Sequence, residues 1–462
     1  MPIINISDFI LIILSLIFIY SLFSIFNKNK KINFIIMLLL LLSLILVSSY
    51  LFLLSTNILI LNLFHIFRFS LFFISFFSFL FILILILSFE KETQYFYTLL
   101  SLVIIGVLLI PIANSLITIF LALELISIST SFLILSKNEY KLESAVKLFL
   151  LSAISISIFA FAIVLIFPYN AQLTLTNIIN NNIISSNYFI ELALILFIVA
   201  LGFESALFPF NFWVPDVYQA SESNITALIS GINKSVAFVA IILVLFIVFI
   251  SYKQLFSTIL SVLAILTMFF GNLIALVQKN IKRLLAYSSI SQAGYILIGI
   301  ATLTQYGLQA SIFQIFAHAF MIIGAFSIIF WLQKQHNLNT ISDYKGLSSR
   351  NNFAAISLTI LMLSMAGIPP LLGFYGKFLL FSSAINANML LLALIGILNS
   401  FISIYYYGKV ITAMYRKTRA KIISFDKQAL IVASVCVFII ISLGIYPQPL
   451  IHITQIISST IL

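Results

Sequence analysis

Long uninterrupted apolar segments are the feature that most restricts how this chain can fold. Several of them exceed the roughly 18 residues that a helix needs to cross a bilayer. In the hydrocarbon core every backbone N–H and C=O group needs a partner within the protein, and an α-helix supplies those partners inside one segment. The segments lack the alternating pattern of transmembrane strands. The sequence therefore predicts an all-α, polytopic membrane protein.

Composition agrees with this class. Of the 462 residues, 63% are hydrophobic and 8% are charged, and the mean hydropathy is +1.24. A soluble domain of this size needs far more charge to cover its surface. The formal net charge is +11, but no extended basic run with interleaved aromatic residues is present, so we predict a lipid bilayer and no nucleic acid as the partner of this surface.

The apolar segments predict about fourteen transmembrane helices. Their connections are short apart from 168–188 and 334–351, and neither of these resembles a separate domain, so residues 1–462 are expected to form a single membrane domain. The first apolar run lacks a basic n-region and a cleavage site, and we interpret it as the first span. The predicted spans are 8–26, 33–55, 66–89, 96–112, 114–136, 141–167, 189–212, 223–250, 256–277, 281–304, 307–333, 352–380, 386–415 and 428–447.

The positions of Lys and Arg predict the orientation. The loops on one side contain only Arg68 and Lys253, whereas seventeen basic residues lie on the other side. Positive loops are retained in the cytoplasm, so both termini are expected outside. We favour a prokaryotic plasma membrane, with a mitochondrial inner membrane as the alternative. The seventeen are Lys28, Lys30, Lys31, Lys91, Lys137, Lys141, Lys279, Lys282, Arg283, Lys334, Lys345, Arg350, Arg416, Lys417, Arg419, Lys421 and Lys427.

Two predicted spans contain helix breakers. Pro209 lies in the seventh, and Pro369 and Pro370 lie in the twelfth. Proline inside a helix removes a hydrogen bond and clashes with the preceding turn. The two breaks are five spans apart, which predicts two inverted five-helix repeats, spans 4–8 and 9–13, as in many transporters. The expected division is an N-terminal segment of three helices (1–95), a first repeat (96–250), an inverted second repeat (256–416) and a C-terminal helix (427–462).

The few ionisable residues inside predicted spans are the candidates for function. A charge at the bilayer centre costs about 2.5 to 3.5 kcal/mol on insertion scales, so it normally has a partner or a water-filled site. Lysine and histidine both serve as proton relays when they are placed in such sites. We therefore predict a proton relay made of Glu124, Lys147, Glu204, Lys234, His318 and Lys377.

Lys377 has the strongest local argument. It follows the Pro369–Pro370 break by two turns, and a broken helix leaves backbone carbonyls without helical partners. We expect water to collect there, and Gly373, one turn away, leaves room for it.

Structural alternatives exist for the other candidates. Glu124 could remain protonated as a packing hydrogen bonder, and Lys234 could belong to a structural ion pair. Lys147 could pair with Glu143 four residues earlier, or face Glu124 on the preceding helix. Lys409 lies about two turns from the basic end of its helix, so snorkelling of its ammonium group is the better interpretation.

Metal and cofactor chemistry is not indicated. Cys436 is the single cysteine, and the four histidines share no ligand spacing. His318, one turn after Gln314, is either a relay group or a satisfied hydrogen bonder. No nucleotide-binding fingerprint or nucleophile motif is present. We expect no cofactor and no metal, so any redox chemistry would take place in partner subunits.

Several motifs resemble the antiporter-like membrane subunits of respiratory complex I. The run GFESALFPFNFWVPDVYQASESNITALISGINKSVAF is similar to the seventh and eighth helices of that family, and KNIKRLLAYSSISQAGYILIGI to its ninth-to-tenth helix junction. MAGIPPLLGFYGKF resembles the broken twelfth helix, and ALELISIS the fifth. PDVY after the seventh helix resembles the chain N, or mitochondrial subunit 2, type. The resemblance covers about residues 95–420.

The resemblance implies fourteen helices, inverted repeats and proton translocation coupled to electron transfer in partner subunits of the membrane arm. By motif, it implies that Glu124, Lys147, Lys234 and Lys377 correspond to the family's glutamate and lysines of the fifth, sixth, eighth and twelfth helices. One position departs: where the family commonly has a lysine in a GFK motif, this chain has Glu204. Two facing carboxylates would share a proton, or Lys147 would become the partner of Glu124.

Three functions are compatible with these features. The leading one is a proton-translocating, non-redox subunit of an NADH:quinone oxidoreductase or a related complex with another electron donor. The second is a subunit of a multisubunit cation/proton antiporter or of a membrane-bound hydrogenase. The third is a helical scaffold that no longer pumps, which predicts that the buried charges tolerate neutral substitution.

Overall fold

The structure is a computed structural model. It describes residues 8–27, 29–89, 95–135, 139–169, 173–175, 188–417 and 426–461. Most of the predicted 168–188 connection lies outside the described residues. The same holds for five of the basic residues used to predict orientation, namely Lys28, Lys91, Lys137, Arg419 and Lys421.

Helices dominate the described residues, and eleven of them are long and apolar enough to cross a membrane. This confirms the all-α membrane class. The first nine helices are α1 (Asp8–Phe26), α2 (Lys30–Leu53), α3 (Arg68–Leu87), α4 (Phe96–Ile112), α5 (Leu116–Ile134), α6 (Glu139–Ile166), α7 (Tyr188–Glu204), α8 (Val214–Ala220) and α9 (Ser223–Val248). The remaining helices are α10 (Lys253–Val277), α11 (Ile281–Ala301), α12 (Gln305–His336), α13 (Leu347–Arg350), α14 (Asn352–Ala366), α15 (Leu372–Asn386), α16 (Leu390–Met414), α17 (Lys427–Ile445) and α18 (Gln448–Ser458).

Three of the fourteen predicted spans coincide with shorter helices. The fourth and the seventh correspond to α4 and α7, which have 17 residues each. The twelfth is divided between α14 and α15, which have 15 residues each. A small antiparallel hairpin, β1 (Ile58–Ile60) with β2 (Phe64–Ile66), connects α2 to α3. The sequence did not predict this hairpin, because its strands have only three residues each.

Both predicted interruptions, at Pro209 and at Pro369–Pro370, are present, whereas Pro111 lies inside the continuous helix α4. Helix α7 ends at Glu204, ahead of Pro209, and the chain resumes regular structure at α8. Helix α14 ends at Ala366, and the next residue, Gly367, has a φ of +88°, a left-handed conformation that only glycine adopts without strain. The carbonyl groups at the end of α14 therefore have no continuing helix to bind them.

Helix α9 is irregular at two places. Residues Ile229–Asn233 and Val244–Val248 have π-helical hydrogen bonding, and the first of these segments ends immediately before Lys234. A π segment widens a helix locally and is frequent at functional sites. Apolar periodicity does not report it, because nearly every residue of α9 is buried and the helix has no apolar face distinct from a polar one.

The chain divides into two compact units. The first contains residues 1–205, 232–253 and 459–462, and the second contains residues 206–231 and 254–458. Helix α9 thus contributes its first part to the second unit and its remainder, including Lys234, to the first.

Each unit has its own core. In the first, α4 lies so close to α5 that a Cβ atom at Gly106 would come within 2.9 Å of the Ala122 carbonyl oxygen. In the second, α11 and the 32-residue α12 are almost entirely buried, and other helices pack around them. Burial on all sides explains why these two helices show no polar face.

Helices α14 and α15 are held together by a close backbone approach at Gly373. The Gly373 N–H donates to Ser364 Oγ at 3.1 Å. A Cβ atom at Gly373 would lie 1.9 Å from the Ser364 carbonyl oxygen, so no larger residue fits without movement of the backbone. This close approach holds the two halves of the broken span in contact.

We expect Gly373→Ala to lower the free energy of unfolding by about 1–3 kcal/mol, the usual cost of overpacking a core. The matched control is Gly408→Ala on α16, where a Cβ atom meets nothing within 4 Å, and alanine should there be neutral or slightly stabilising. Thermal unfolding of the two variants in detergent measures the difference. Equal midpoints would contradict the proposed role of Gly373.

Candidate functional site

In the first unit, two acidic residues of the predicted relay come together. Glu124 lies half-buried on α5, and Glu204 is the half-buried last residue of α7. Ser127, one turn after Glu124, donates its hydroxyl hydrogen to Glu204 Oε1 at 3.2 Å. The two carboxylates are close enough to interact electrostatically. The structure thus brings Glu124 and Glu204 to one place between α5 and α7.

Lys147 lies half-buried on α6, which packs against both α5 and α7. Glu143, its alternative partner one turn earlier, is exposed. Of the two residues, Lys147 is therefore the one that belongs to the interior of the first unit.

Lys234 is the most deeply buried lysine of the first unit, with 4% of its surface exposed. It follows the π segment of α9 directly. The neighbouring Asn233 donates its Nδ2–H to Thr130 Oγ1 on α5 at 2.9 Å, whereas its buried Oδ1 atom accepts no hydrogen bond from the described residues. An acceptor of this kind beside a buried lysine suits a water molecule or a proton donor.

In the second unit, Lys377 occupies the break between α14 and α15. Its side chain is 3% exposed. The Nζ atom donates to the carbonyl oxygen of Ala366 at 2.9 Å and to Ser400 Oγ on α16 at 2.9 Å, and it lies 4.7 Å from the centre of the Tyr295 ring. The ammonium group itself thus binds a carbonyl that the break leaves free, in the position where we expected water.

His318 and Gln314 lie one turn apart on α12, and both are buried. Gln314 Nε2 donates to Gln292 Oε1 at 2.9 Å, and Gln292 Nε2 donates to the Met365 carbonyl oxygen at 3.0 Å. These two amides therefore connect α12, which carries His318, to the last turn of α14 next to the Lys377 site.

The remaining acceptor of this amide pair points toward the Lys377 helix. Gln314 Oε1 is buried and accepts no hydrogen bond from the residues that the structure describes. A Cβ atom on Gly376 would come within 1.9 Å of it, so the oxygen rests against the backbone immediately before Lys377.

A buried polar network extends from Tyr295 into α10 and α16. Asn272 Nδ2 donates to Tyr295 OH at 3.5 Å and to Asn399 Oδ1 at 3.0 Å. Tyr406 OH donates to Asn272 Oδ1 at 3.0 Å. Lys409, further along α16, is half-buried and donates to the Gln278 carbonyl oxygen at 3.3 Å. This contact at the end of α10 agrees with the expected snorkelling of Lys409.

Sequence reasoning missed these neutral polar residues. The signal was present, since each is an amide or hydroxyl inside an apolar span, but a single sequence contains many such residues. Among the described histidines, cysteines and acids, no group of three could hold a metal ion. The neutral residues singled out by the structure are Thr130, Asn233, Asn272, Gln292, Tyr295, Asn399, Ser400 and Tyr406.

Known proteins share both the sequence and the fold. Residues 113–403 match the family described as NADH:quinone oxidoreductase/Mrp antiporter, transmembrane. The F(420)H(2) dehydrogenase subunit N of Methanosarcina mazei is 34% identical in an alignment of 383 positions that covers 79% of this chain and 77% of that protein. NADH-quinone oxidoreductase subunit N 1 of Chloroherpeton thalassium is 36% identical in an alignment of 368 positions that covers 78% of this chain and 77% of that protein.

Solved structures of membrane subunits have the same fold as this chain. A chain of respiratory complex I from Thermus thermophilus superposes with a TM-score of 0.82 at 26% identity, over 95% of this chain and 98% of that one. A chain of the Mrp complex from Dietzia has the same fold, with a TM-score of 0.89 at 16% identity over 99% of this chain and 97% of that one. Together with the sequence matches, these findings show that the chain belongs to the NADH:quinone oxidoreductase/Mrp antiporter family of membrane subunits, as an antiporter-like subunit of the N type.

Proposed function

We propose that this chain is the proton-translocating membrane subunit of a complex-I-like oxidoreductase, and that it carries no redox centre of its own. Curated relatives that are more than 30% identical over most of the chain are named subunit N of such enzymes. The observation that carries the proposal is that each unit buries a lysine next to a helix irregularity, Lys234 after a π segment and Lys377 in a broken span.

In the first unit, we assign the coupling step to the acidic pair. A charge change that arrives from a neighbouring subunit would alter the pairing of Glu124 with Lys147 or Lys234. Because Glu204 stands where the family commonly has a lysine, Glu124 and Glu204 would share a proton, and Ser127 donates a hydrogen bond to the Glu204 carboxyl group. The proton would then pass to Lys234, whose neighbour Asn233 has a free acceptor.

In the second unit, we assign proton transfer to His318 and Lys377. Protonated Lys377 is held by the Ala366 carbonyl and Ser400, and by the face of Tyr295. Loss of the Lys377 proton would weaken all three contacts. The neutral amine would then be able to leave the position that the ammonium group occupies. The Gln314–Gln292 pair would order water between His318 and Lys377, since Gln314 Oε1 is available as an acceptor.

We further propose that the chain has fourteen spans and that 96–250 and 256–416 are inverted repeats within a single membrane domain, flanked by 1–95 and 427–462. The interruption of α7 before Pro209 and of α14 before Pro369 supports this division, because the breaks lie in the fourth helix of each repeat. Broken helices at matching positions of two repeats are characteristic of transport proteins.

The partners would be the other membrane-arm subunits of the complex, which contains the redox centres, together with the lipid bilayer and the translocated protons. The relatives include subunits of both an F(420)H(2) dehydrogenase and NADH-quinone oxidoreductases. A proton-translocating subunit of this kind would therefore serve either electron donor, because the donor site lies in another chain.

A cation/proton antiporter subunit is the second candidate, favoured by the fold shared with the Mrp complex. It predicts proton movement that depends on sodium or potassium and requires no redox partner. The leading proposal predicts movement that depends on electron transfer and is unaffected by replacement of sodium with choline.

Neutralising the relay should uncouple the complex. We expect Lys377→Met and Glu124→Gln to lower proton transfer through this chain by about 100-fold or more, the usual contribution of a positioned acid or base. Electron transfer and assembly should be retained. The proton-to-electron ratio of the purified complex in liposomes is the measurement.

Lys253→Met and Glu139→Gln are the matched controls, because both residues are exposed and lie outside the predicted relay. Their proton-to-electron ratio should equal that of the wild type. An unchanged proton-to-electron ratio of the complex in both Lys377→Met and Glu124→Gln would reject this mechanism. It would indicate that this chain is a scaffold and that other subunits move the protons.

Glu204→Lys tests the altered acidic pair. The substitution gives Glu124 a cationic neighbour in place of a carboxylate, so we expect the infrared band of protonated carboxyl groups to lose intensity and the proton-to-electron ratio to change. Glu139→Lys, with the same change of charge at an exposed position, should leave both unaltered. Identical pumping and an identical carboxyl band in Glu204→Lys would count against the shared proton.

The orientation can be tested with single cysteines, because the native Cys436 is fully buried. We expect a membrane-impermeant maleimide added to intact cells to label Lys253→Cys and to leave Lys334→Cys unlabelled. Inside-out vesicles should show the reverse. Labelling of Lys334→Cys in intact cells would invert the proposed topology.

A further inference from the structure

A basic cavity lies in the second unit where two membrane-spanning helices end. It has a volume of about 400 Å³ and is lined by the segment that follows α10, by the last turns of α16, and by the turn Ile341–Tyr344. Four of its lining residues are cations, namely Lys279, Lys345, Lys409 and Arg416. All belong to the second unit. The relay described above does not use this cavity.

The cavity contains no compensating acid. None of the residues that line it is Asp or Glu, and none of its four cations forms an ion pair with a carboxylate of the described residues. Asp343, next in the chain to a lining residue, uses its carboxylate to cap the turn, where it accepts from the backbone N–H groups of Thr340 at 2.7 Å and Asn339 at 3.1 Å. The sequence from 415 to 425 contains no acid either.

Helix dipoles do not balance this charge. The carboxyl ends of α10 and α16 point to the cavity, and each contributes about half a negative charge. Two carbonyl groups at these helix ends already accept hydrogen bonds. Lys409 donates to the Gln278 carbonyl, and the Gly346 N–H donates to the Ala413 carbonyl at 3.2 Å. Against four cations, the two ends leave an excess of about three positive charges, which attracts an anion into a concave site.

Hydroxyl groups add hydrogen-bond donors to the same walls. Thr340 Oγ1 and Ser342 Oγ are 2.7 Å apart, and Thr412 lies one turn before Arg416 on the opposite side. Ammonium, guanidinium and hydroxyl groups together match the oxygens of a phosphate group. The volume is within the range of ordinary ligand sites and exceeds what one phosphate needs.

The neighbouring surface is apolar. On α10, Leu273 and Val277 are 51% and 72% exposed, and on α16, Tyr405 is 67% exposed. Asn272 and Asn399 join these two helices inside the unit. Acyl chains can therefore lie along the same helices whose ends hold the cations. Basic pockets between transmembrane helices at the membrane surface are typical sites for anionic lipid headgroups.

We propose that this cavity binds the phosphate group of an anionic phospholipid, with its acyl chains along α10 and α16. The four cations and the hydroxyls contact the phosphate oxygens, and the exposed apolar residues contact the chains. None of the residues lining the cavity belongs to the predicted proton relay. The lipid proposal therefore does not depend on whether the chain translocates protons.

The experiment uses the membrane complex that co-purifies with an affinity-tagged form of this chain. The complex is equilibrated in nanodiscs that contain equal amounts of phosphatidylglycerol and phosphatidylcholine, and the lipid retained on the released chain is identified by native mass spectrometry. The test variant combines Lys279→Gln, Lys345→Gln and Arg416→Gln. Each cation near an anionic headgroup contributes roughly fivefold in affinity, so we expect phosphatidylglycerol binding to fall by roughly 100-fold.

The matched control combines Lys30→Gln, Lys31→Gln and Lys427→Gln. These exposed residues belong to the same set of basic residues and remove the same charge, but they do not line the cavity. The control should retain phosphatidylglycerol as the wild type does. Equal retention by the test variant, or equal loss in both variants, would overturn the proposal.

A second measurement separates lipid from free phosphate. Inorganic phosphate at millimolar concentration should not displace the bound phosphatidylglycerol, because it lacks the acyl contacts. Displacement by inorganic phosphate would overturn the lipid assignment and indicate a soluble anion. Absence of any lipid on the wild-type chain, with the cavity covered by a subunit of the complex, would reject the proposal in favour of a protein contact.

Discussion

A charge inside a membrane-spanning protein needs a polar partner, and the way in which Lys377 meets this requirement organises the second unit. Helix α14 ends at Ala366, which frees a carbonyl group, and the lysine ammonium binds that carbonyl together with Ser400. Each group satisfies the other: the break removes the helical hydrogen-bond partner of the carbonyl, and the ammonium group, which is 3% exposed, needs acceptors supplied by the protein. The break and the charge are therefore one structural feature.

The same requirement explains the polar residues around it. Gln292 donates a hydrogen bond to the carbonyl oxygen of Met365, the residue before Ala366. Gln292 also accepts a hydrogen bond from Gln314. The Tyr295 ring faces the Lys377 ammonium group, and the Tyr295 hydroxyl oxygen accepts a hydrogen bond from Asn272 Nδ2. A buried network of this kind is stable only when most of its members are paired. Gln314 Oε1 accepts no hydrogen bond from the described residues, and in the proposed mechanism it is the atom at which the network would bind a water molecule.

The ionisable groups of the first unit have different partners. Its acids lie half-buried between α5 and α7, and a serine hydroxyl supports Glu204. Glu124 and Glu204 are both carboxylic acids, so the unit has to accommodate two groups that repel each other when both are charged. The π segment before Lys234 ends at Asn233, whose side chain donates to Thr130 on α5.

The sequence by itself determined the membrane class, the approximate bounds of the helices, the two interruptions and the burial of Lys234, His318 and Lys377. These follow from local properties: the length of an apolar run, the missing N–H of proline, and the cost of charge in hydrocarbon. The sequence did not predict that Lys282, which we placed among the basic loop residues, is 5% exposed and donates to the Ser221 carbonyl oxygen at 2.6 Å. Only the tertiary structure decided the partners. Ser127 and Glu204 are 77 residues apart, and Asn272 and Asn399 are 127 apart. The faces at which two helices meet depend on the rotation of each helix about its axis and on which helices are neighbours. The sequence of a single helix determines neither.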